Sequence, residues 1–349
     1  MSGRITGWDV GGAHLKQAVL EADGTLASVH MVACPLWQGL DRLDSALAAL
    51  PDAGAARAFV TMTGELTDLW PDRPSGVAGL SRALAERLGP AMRVYAGPAG
   101  FVSAAQAPDH AAAVASANWH ATAAALAALC GDGVLVDMGS TTTDMIYFAG
   151  NKLSFSGYSD AERLESGELV YSGAARTPVM ALAPALPFRG RMVPLMAEHF
   201  ATTADIHRLT GDLPEEADLH PAADGGPKTR DASARRLLRM VGRDLAGEAC
   251  RAAGTLAEAE ALAAAAAEAQ LFRLHQSLAQ VLSARNAPRH APLLGAGVGR
   301  FMVQRLAERV GRPYRDAGLL LAGSRRLAAE AADCAPAVAV ARLGRMEII

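Results

Sequence analysis

The chain has 349 residues, a length that suggests two domains or one two-lobed unit. Hydrophobic residues make up 51% and charged residues 20%, which excludes disorder as the dominant state. Lys+Arg number 33 against 36 Asp+Glu, a net charge of −3, so bulk positive charge is not available to hold nucleic acid or an anionic membrane.

In chain order, Ile5–Val10, Leu15–Glu21 and Leu26–Val32 alternate as strands, with Asp23-Gly24 as a hairpin signal between the last two. A helix over 39–50, a strand at Ala58–Met62, a helix near 76–88 and a strand at Met92–Ala96 follow. This is a meander extended by parallel crossovers. Ala113–Leu129 reads as one helix. Gly133–Asp137 and Asp144–Phe148 flank a polar turn, and Gly150-Asn151 leads into Lys152–Ser156. That layout repeats the N-terminal one: an apolar strand ending in Asp, a glycine turn, a strand. Residues 157–230 are rich in Gly, Pro, Arg and Thr, as expected of loops and an insertion. Helices are expected at 231–249 and 255–286, a strand at Ala291–Leu294 and a helix at Arg300–Val310. Another strand is expected at Ala317–Leu321 and a closing helix at 323–342.

Cys34, Cys130, Cys250 and Cys334 are far apart and form no CxxC pair, so reduced thiols are expected rather than zinc or disulfides. The N-terminus lacks the apolar core of a signal peptide, and the most apolar stretches carry Asn118 and His120, or Glu258, Glu260 and Glu268. A soluble cytoplasmic protein with no membrane or nucleic-acid partner is the expectation.

Three segments carry chemistry. In the first, Asp9 ends a strand and is followed by Gly11 and Gly12, which let backbone amides approach an anion; His14 lies in the turn and Lys16 on the next strand. A hairpin with surface charges explains this segment equally well. In the second, Asp137 is followed by Gly139, Ser140, Thr141, Thr142, Thr143 and Asp144. Amides and hydroxyls there suit phosphate oxygens, and Asp137 and Asp144 suit Mg²⁺. In the third, Gly295, Gly297 and Gly299 precede a helix, either as a nucleotide-binding turn or as close backbone packing. Its spacing is not that of a dinucleotide fingerprint.

Together the three resemble the superfamily of sugar and acetate kinases, actin and the heat-shock ATPases, as the phosphate 1, phosphate 2 and adenosine motifs. That resemblance implies an α/β fold of two ribonuclease-H-like lobes around a central phosphate-binding cleft. Lobe I is expected over 1–112 with 323–349, and lobe II over 113–322 with a substrate-binding insertion near 157–230. DxGGxxxK (Asp9 to Lys16) and DxGSTTTD (Asp137 to Asp144) are similar to the hydantoinase/oxoprolinase-like branch. Ser116–Thr122, Gly167–Gly173 with Arg176–Val179, Ala201–Asp205 and Pro227–Arg230 look like its small single-chain members, linked to tetrahydromethanopterin-dependent C1 transfer and methylofuran biosynthesis.

The resemblance implies a transferase joining a furan-methanol diphosphate to the phenol of a γ-glutamyltyramine-like acceptor with release of pyrophosphate. Asp9, Lys16 and Asp137 are then catalytic, and Mg²⁺, with Asp9, Asp137 and Asp144 as its ligands, is the cofactor. Asn118, Tyr171, Arg176, Thr202, Thr203, Asp205, Lys228 and Arg230 are candidates to bind the organic substrate, and Asp205 or His207 to act as base. The alternative is an ATP-dependent small-molecule kinase or an oxoprolinase-like amidohydrolase. A homodimer is compatible with either.

Overall fold

The computed structural model describes residues 3–51, 57–245 and 254–348. Cys250 and the expected helical residues 246–249 lie outside them. In chain order, β1 (Ile5–Val10), β2 (His14–Leu20) and β3 (Leu26–Ala33) form the meander; the β2–β3 turn is closed by Gly24 donating to the Glu21 carbonyl. Then come α1 (Asp41–Ala48), β4 (Arg57–Met62), α2 (Arg73–Leu88), β5 (Arg93–Tyr95) and β6 (Phe101–Ser103). The sheet order is β3-β2-β1-β4-β5-β6, with β4 parallel to β1 and β5, as the crossovers require. Asp72 caps α2 by accepting from the Ser75 amide at 2.8 Å.

The helix expected over 113–129 is two pieces, α3 (Ala111–Val114) and α4 (Asn118–Cys130). Ala115 leaves the helix to bridge Met62 in parallel, and Ser116 takes a left-handed φ of 52°. Next are β7 (Gly133–Met138), β8 (Thr143–Ala149) and β9 (Lys152–Ser154). The 157–230 segment is more ordered than its composition suggests. It holds α5 (Asp160–Ser166), β10 (Leu169–Val170), the hairpin β11 (Ala185–Phe188) and β12 (Arg191–Pro194), and α6 (Thr203–Thr210). There follow α7 (Arg230–Arg239), the 30-residue α8 (Leu256–Arg285), β13 (Leu293–Ala296), α9 (Arg300–Val310) and β14 (Tyr314–Asp316). The second sheet runs β10-β8-β7-β13-β14, with β9 on β8.

Ala317–Leu321 is not a strand. It forms α10 (Ala317–Ala322), because Asp316 accepts from the Gly318 and Leu319 amides and so starts a helix. The closing helix is divided into α11 (Ala328–Asp333) and α12 (Ala335–Ile348).

The chain divides into two compact units. One comprises Met1–Leu135, Ile146–Ser159 and Arg315–Ile349; the other Val136–Met145 and Asp160–Tyr314. In the first, Trp8, Val10, Leu15, Val60, Met62, Leu80 and Leu84 are buried in one core. Helix α12 packs on β1 so closely that a Cβ on Gly7 would lie 2.1 Å from the Ala337 carbonyl oxygen. In the second unit α6, α7 and α8 share a core of Ile206, Leu209, Leu237, Leu238, Leu262 and Ala266. A capping box of Thr255 and Glu258 starts α8. Among the described residues no helix is long and apolar enough to cross a membrane.

Candidate functional site

In the first unit the strand register aligns three polar residues. Asp9 on β1 stands opposite Lys16 on β2 and opposite Thr61 on β4, so the three share one face at the carboxyl end of β1. Lys16 Nζ lies 3.3 Å from Asp9 Oδ2. Asp9 is 4% exposed, and its Oδ1 has no hydrogen-bond partner; neither does the buried Thr61 hydroxyl. A buried carboxylate oxygen without a donor costs free energy unless a cation or donor completes it. Asp9 therefore fits a metal. Among the described residues no three His, Cys, Asp or Glu side chains cluster as a protein cage. A single carboxylate such as Asp9 can take part in binding Mg²⁺, which is held through one or two carboxylates with substrate phosphates supplying further oxygens. The adjoining turn is compact: the Gly11 amide donates to the His14 carbonyl at 3.0 Å, and Gly12 accepts from the Leu36 amide at 2.9 Å. His14, at the start of β2, is half-buried.

A second carboxylate lies at the same edge of this sheet. Glu65 follows β4 in a single 3₁₀ turn, Gly64–Leu66, and is 1% exposed. Its Oε1 accepts from the Ser116 hydroxyl at 3.0 Å, while Oε2 is buried without a partner. Burial pushes its carboxyl up to about 7, against the lowering effects of hydrogen bonds and of Arg73. Glu65 and Thr61 belong to no motif in the sequence. The signal that points to them is positional: a Thr-Gly-Glu turn closing a strand parallel to the one that carries Asp9.

In the second unit Asp137 lies near the end of β7, and the Gly139–Thr142 turn is closed by Gly139 donating to the Thr142 carbonyl at 2.9 Å. The Ser140 carbonyl accepts from the Ala175 and Arg176 amides at 3.1 and 2.8 Å. Arg176 Nη1 stands 3.4 Å from the Thr141 hydroxyl, so a guanidinium reaches the hydroxyl turn. Ser140, Thr141 and Thr142 are half-buried.

The late glycine turn packs onto this strand end. Gly297 has φ +78°, and a Cβ there would lie 2.3 Å from the Met138 carbonyl oxygen and 2.6 Å from Asp137 Oδ1. The Gly299 amide donates to Met138 at 2.8 Å, and Gly295 lies against the Tyr314 ring. Close packing thus accounts for all three glycines. His220, which no motif marks, is held below the ordinary imidazole range by burial and by the positive charges of Arg176 and Lys228.

Other expected site residues are taken up by the fold. Asp144 is buried in an ion pair with Arg163 at 2.5 Å, and burial raises its carboxyl despite that partner. It is therefore corrected from metal ligand to internal counter-ion. The Thr143 hydroxyl is corrected likewise: it donates to the Ser172 carbonyl at 2.6 Å instead of facing a phosphate. Thr202 and Asp205 form the capping box of α6, and Asp205 Oδ1 also accepts from Ser233 and from Arg236 at 2.7 and 2.9 Å. Asp205 is thus not available as base.

Thr203 is buried and accepts from the Thr177 amide at 3.3 Å. His207 is buried, shares a 2.8 Å hydrogen bond with Gln270, and is held by burial at about 4, neutral and inside the core. Arg230 pairs with Glu260 at 2.6 Å, and Lys228 Nζ donates to the Asp218 carbonyl at 2.6 Å. Tyr171 is 50% exposed and Asn118 half-buried. Trp119 and His120 belong to an aromatic cluster with Phe155 and Tyr158, and Tyr95 bonds His120 Nδ1 at 2.8 Å.

Comparison with known proteins adds relatives. Residues 60–318 match the hydantoinase/oxoprolinase family. A protein of Methanocaldococcus jannaschii named (4-{4-[2-(gamma-L-glutamylamino)ethyl]phenoxymethyl}furan-2-yl)methanamine synthase is 34% identical over 238 residues, 68% of this chain and 71% of its own length. Acetone carboxylase in its nucleotide-free form matches 88% of this chain and 67% of its own with a TM-score of 0.55 at 12% identity, a likeness of fold. A glucokinase of the ROK family from Streptomyces griseus matches 97% of this chain and 98% of its own, with a TM-score of 0.47 at 14% identity.

Proposed function

The chain belongs to the hydantoinase/oxoprolinase family, and from that membership we propose that it is a transferase of methylofuran-type cofactor biosynthesis, joining a furan-methanol diphosphate to a tyramine-like phenol. The observation that carries this reading is the 34% identity to a synthase whose named product holds a phenol oxygen on the methylene of a furan. Forming that ether from a phenol requires a leaving group on the methylene. The furan ring stabilises positive charge on that carbon as the leaving group departs, so stabilising the departing anion is the main demand on the protein. The motifs that remain free of fold duties are suited to such an anion.

The residues divide the work. Lys16 places a positive charge beside Asp9 and offsets the charge of the diphosphate. Asp9, with its partnerless Oδ1, would hold Mg²⁺, which when bound neutralises the developing pyrophosphate. The amides and hydroxyls of Gly139–Thr142 and the Arg176 guanidinium donate to phosphate oxygens. Gly295, Gly297 and Gly299 also have a packing role, against Tyr314 and Met138.

The test is pyrophosphate release, with Mg²⁺, an aminomethyl-furan-methanol diphosphate and γ-glutamyltyramine. Stoichiometric pyrophosphate and ether product support the reading. Product formation without pyrophosphate, or a strict requirement for ATP, overturns it.

A further inference from the structure

We infer that Ser116 and Glu65 form the relay that removes the proton from the acceptor's phenol, with Ser116 touching the acceptor and Glu65 receiving the proton. The inference rests on the transferase reading and supplies the base that Asp205 and His207 cannot be.

Four observations carry it. β1 and β4 are parallel neighbours, so the turns that follow them, Gly11–Gly12 and Thr63–Leu66, emerge at the same edge of the sheet. In open α/β sheets that carboxyl edge is where ligands bind. Ser116 is held in a left-handed conformation, φ 52°, costly for a residue with a side chain. The Ala115–Met62 bridge and the bond to Glu65 fix it there. Ser116 is 8% exposed and Glu65 1%, so Ser116 is the less buried residue of the pair. Finally, Glu65 Oε2 is buried with no donor, leaving the carboxylate under-satisfied and basic.

The elements packed around Glu65 add little opposing charge. Arg73 of α2 acts on it, and from the segment before α4 comes the neutral Ser116. The Gly64 turn rests on Leu36 and on the carbonyls of Val10 and Gly11, which do not titrate. Burial leaves Glu65 titrating near 7, where a general base is most effective at neutral pH.

The step balances. The phenol proton passes to Ser116 Oγ as the Ser116 hydroxyl proton passes to Glu65 Oε1. The phenol oxygen bonds the furfuryl carbon, and the carbon–oxygen bond to the diphosphate breaks with its electron pair leaving on pyrophosphate. Glu65 then returns the proton to water.

Pyrophosphate release is measured across pH for the wild type, Glu65→Gln and Ser116→Ala, with γ-glutamyltyramine and with a ring-fluorinated analogue whose phenol is more acidic. Glu65→Gln keeps a partner for Ser116 but cannot accept the proton. Its kcat should fall roughly 10²–10⁴-fold with KM within a few-fold, and the wild-type limb near neutral pH should vanish. The fluorinated acceptor should shrink that loss by about tenfold or more, because an acidic phenol depends less on a base. Equal losses on both acceptors, or a wild-type profile in Glu65→Gln, overturn the relay. If Glu65→Gln does not fold, Ser116→Ala carries the same two-acceptor comparison. A wild-type protein that releases no pyrophosphate refutes the transferase reading and takes the relay with it, whereas turnover unaffected in both variants refutes the relay alone.

Discussion

Glu65 also makes a stability prediction that needs no substrate. Its carboxyl is raised from 4.5 to about 7 in the folded chain by burial. The folded state therefore binds more protons than the unfolded state between those values, and stability is lost as pH rises through the folded value. At about 1.4 kcal/mol for each pH unit between 4.5 and about 7, this corresponds to about 3 kcal/mol, fully lost by about pH 8. Glu65→Gln removes the titration while keeping shape and a bond to Ser116. The assay is thermal unfolding of both proteins from pH 5 to pH 8. The variant should gain about 3 kcal/mol relative to wild type across that range, equivalent to roughly 6–12 °C in Tm for a unit of this size. Parallel pH curves for the two proteins would refute the argument, since they would mean that Glu65 is solvated or permanently paired.

Asp137→Ala should abolish pyrophosphate release with Tm within a few degrees of wild type, whereas Asp144→Ala should cost about 3–5 kcal/mol by breaking its buried ion pair with Arg163; calorimetry alongside the activity assay separates them. Cys34 and Cys334, pushed up to about 11 and about 12 by burial, should resist maleimide until the chain unfolds, while the half-buried Cys130 should label before either of them in site-resolved mass spectrometry. His207, lowered from 6.5 to about 4, contributes stability that is present above 6.5 and lost as pH falls through 4. His207→Gln should flatten that acid limb by about 3 kcal/mol in acid-unfolding curves, and an unchanged limb would count against a neutral buried imidazole.

Much of the architecture follows from local signals in the sequence. The meander, the Asp9 and Asp137 strand ends, the hydroxyl turn and the Arg300–Val310 helix lie where strand alternation, glycine turns and capping chemistry put them. These signals act over a few residues, so adjacency along the chain suffices to read them. The family resemblance was legible for the same reason, because its motifs are contiguous.

Only the tertiary structure decided which polar side chains remain for chemistry. DxGSTTTD reads as uniform along the chain, yet Thr143 and Asp144 are both buried at the start of β8 and are taken by Ser172 and Arg163. Asp205 is claimed by Arg236 from a separate helix, and His207 by Gln270 from another. Glu65 and Ser116, 51 residues apart, meet because Ala115 joins the ladder beside Met62 and breaks a stretch whose composition is helical throughout. A buried polar group is satisfied by whatever the packing brings to it, from any distance along the chain. That choice is made by the folded core, and no local pattern of residues encodes it.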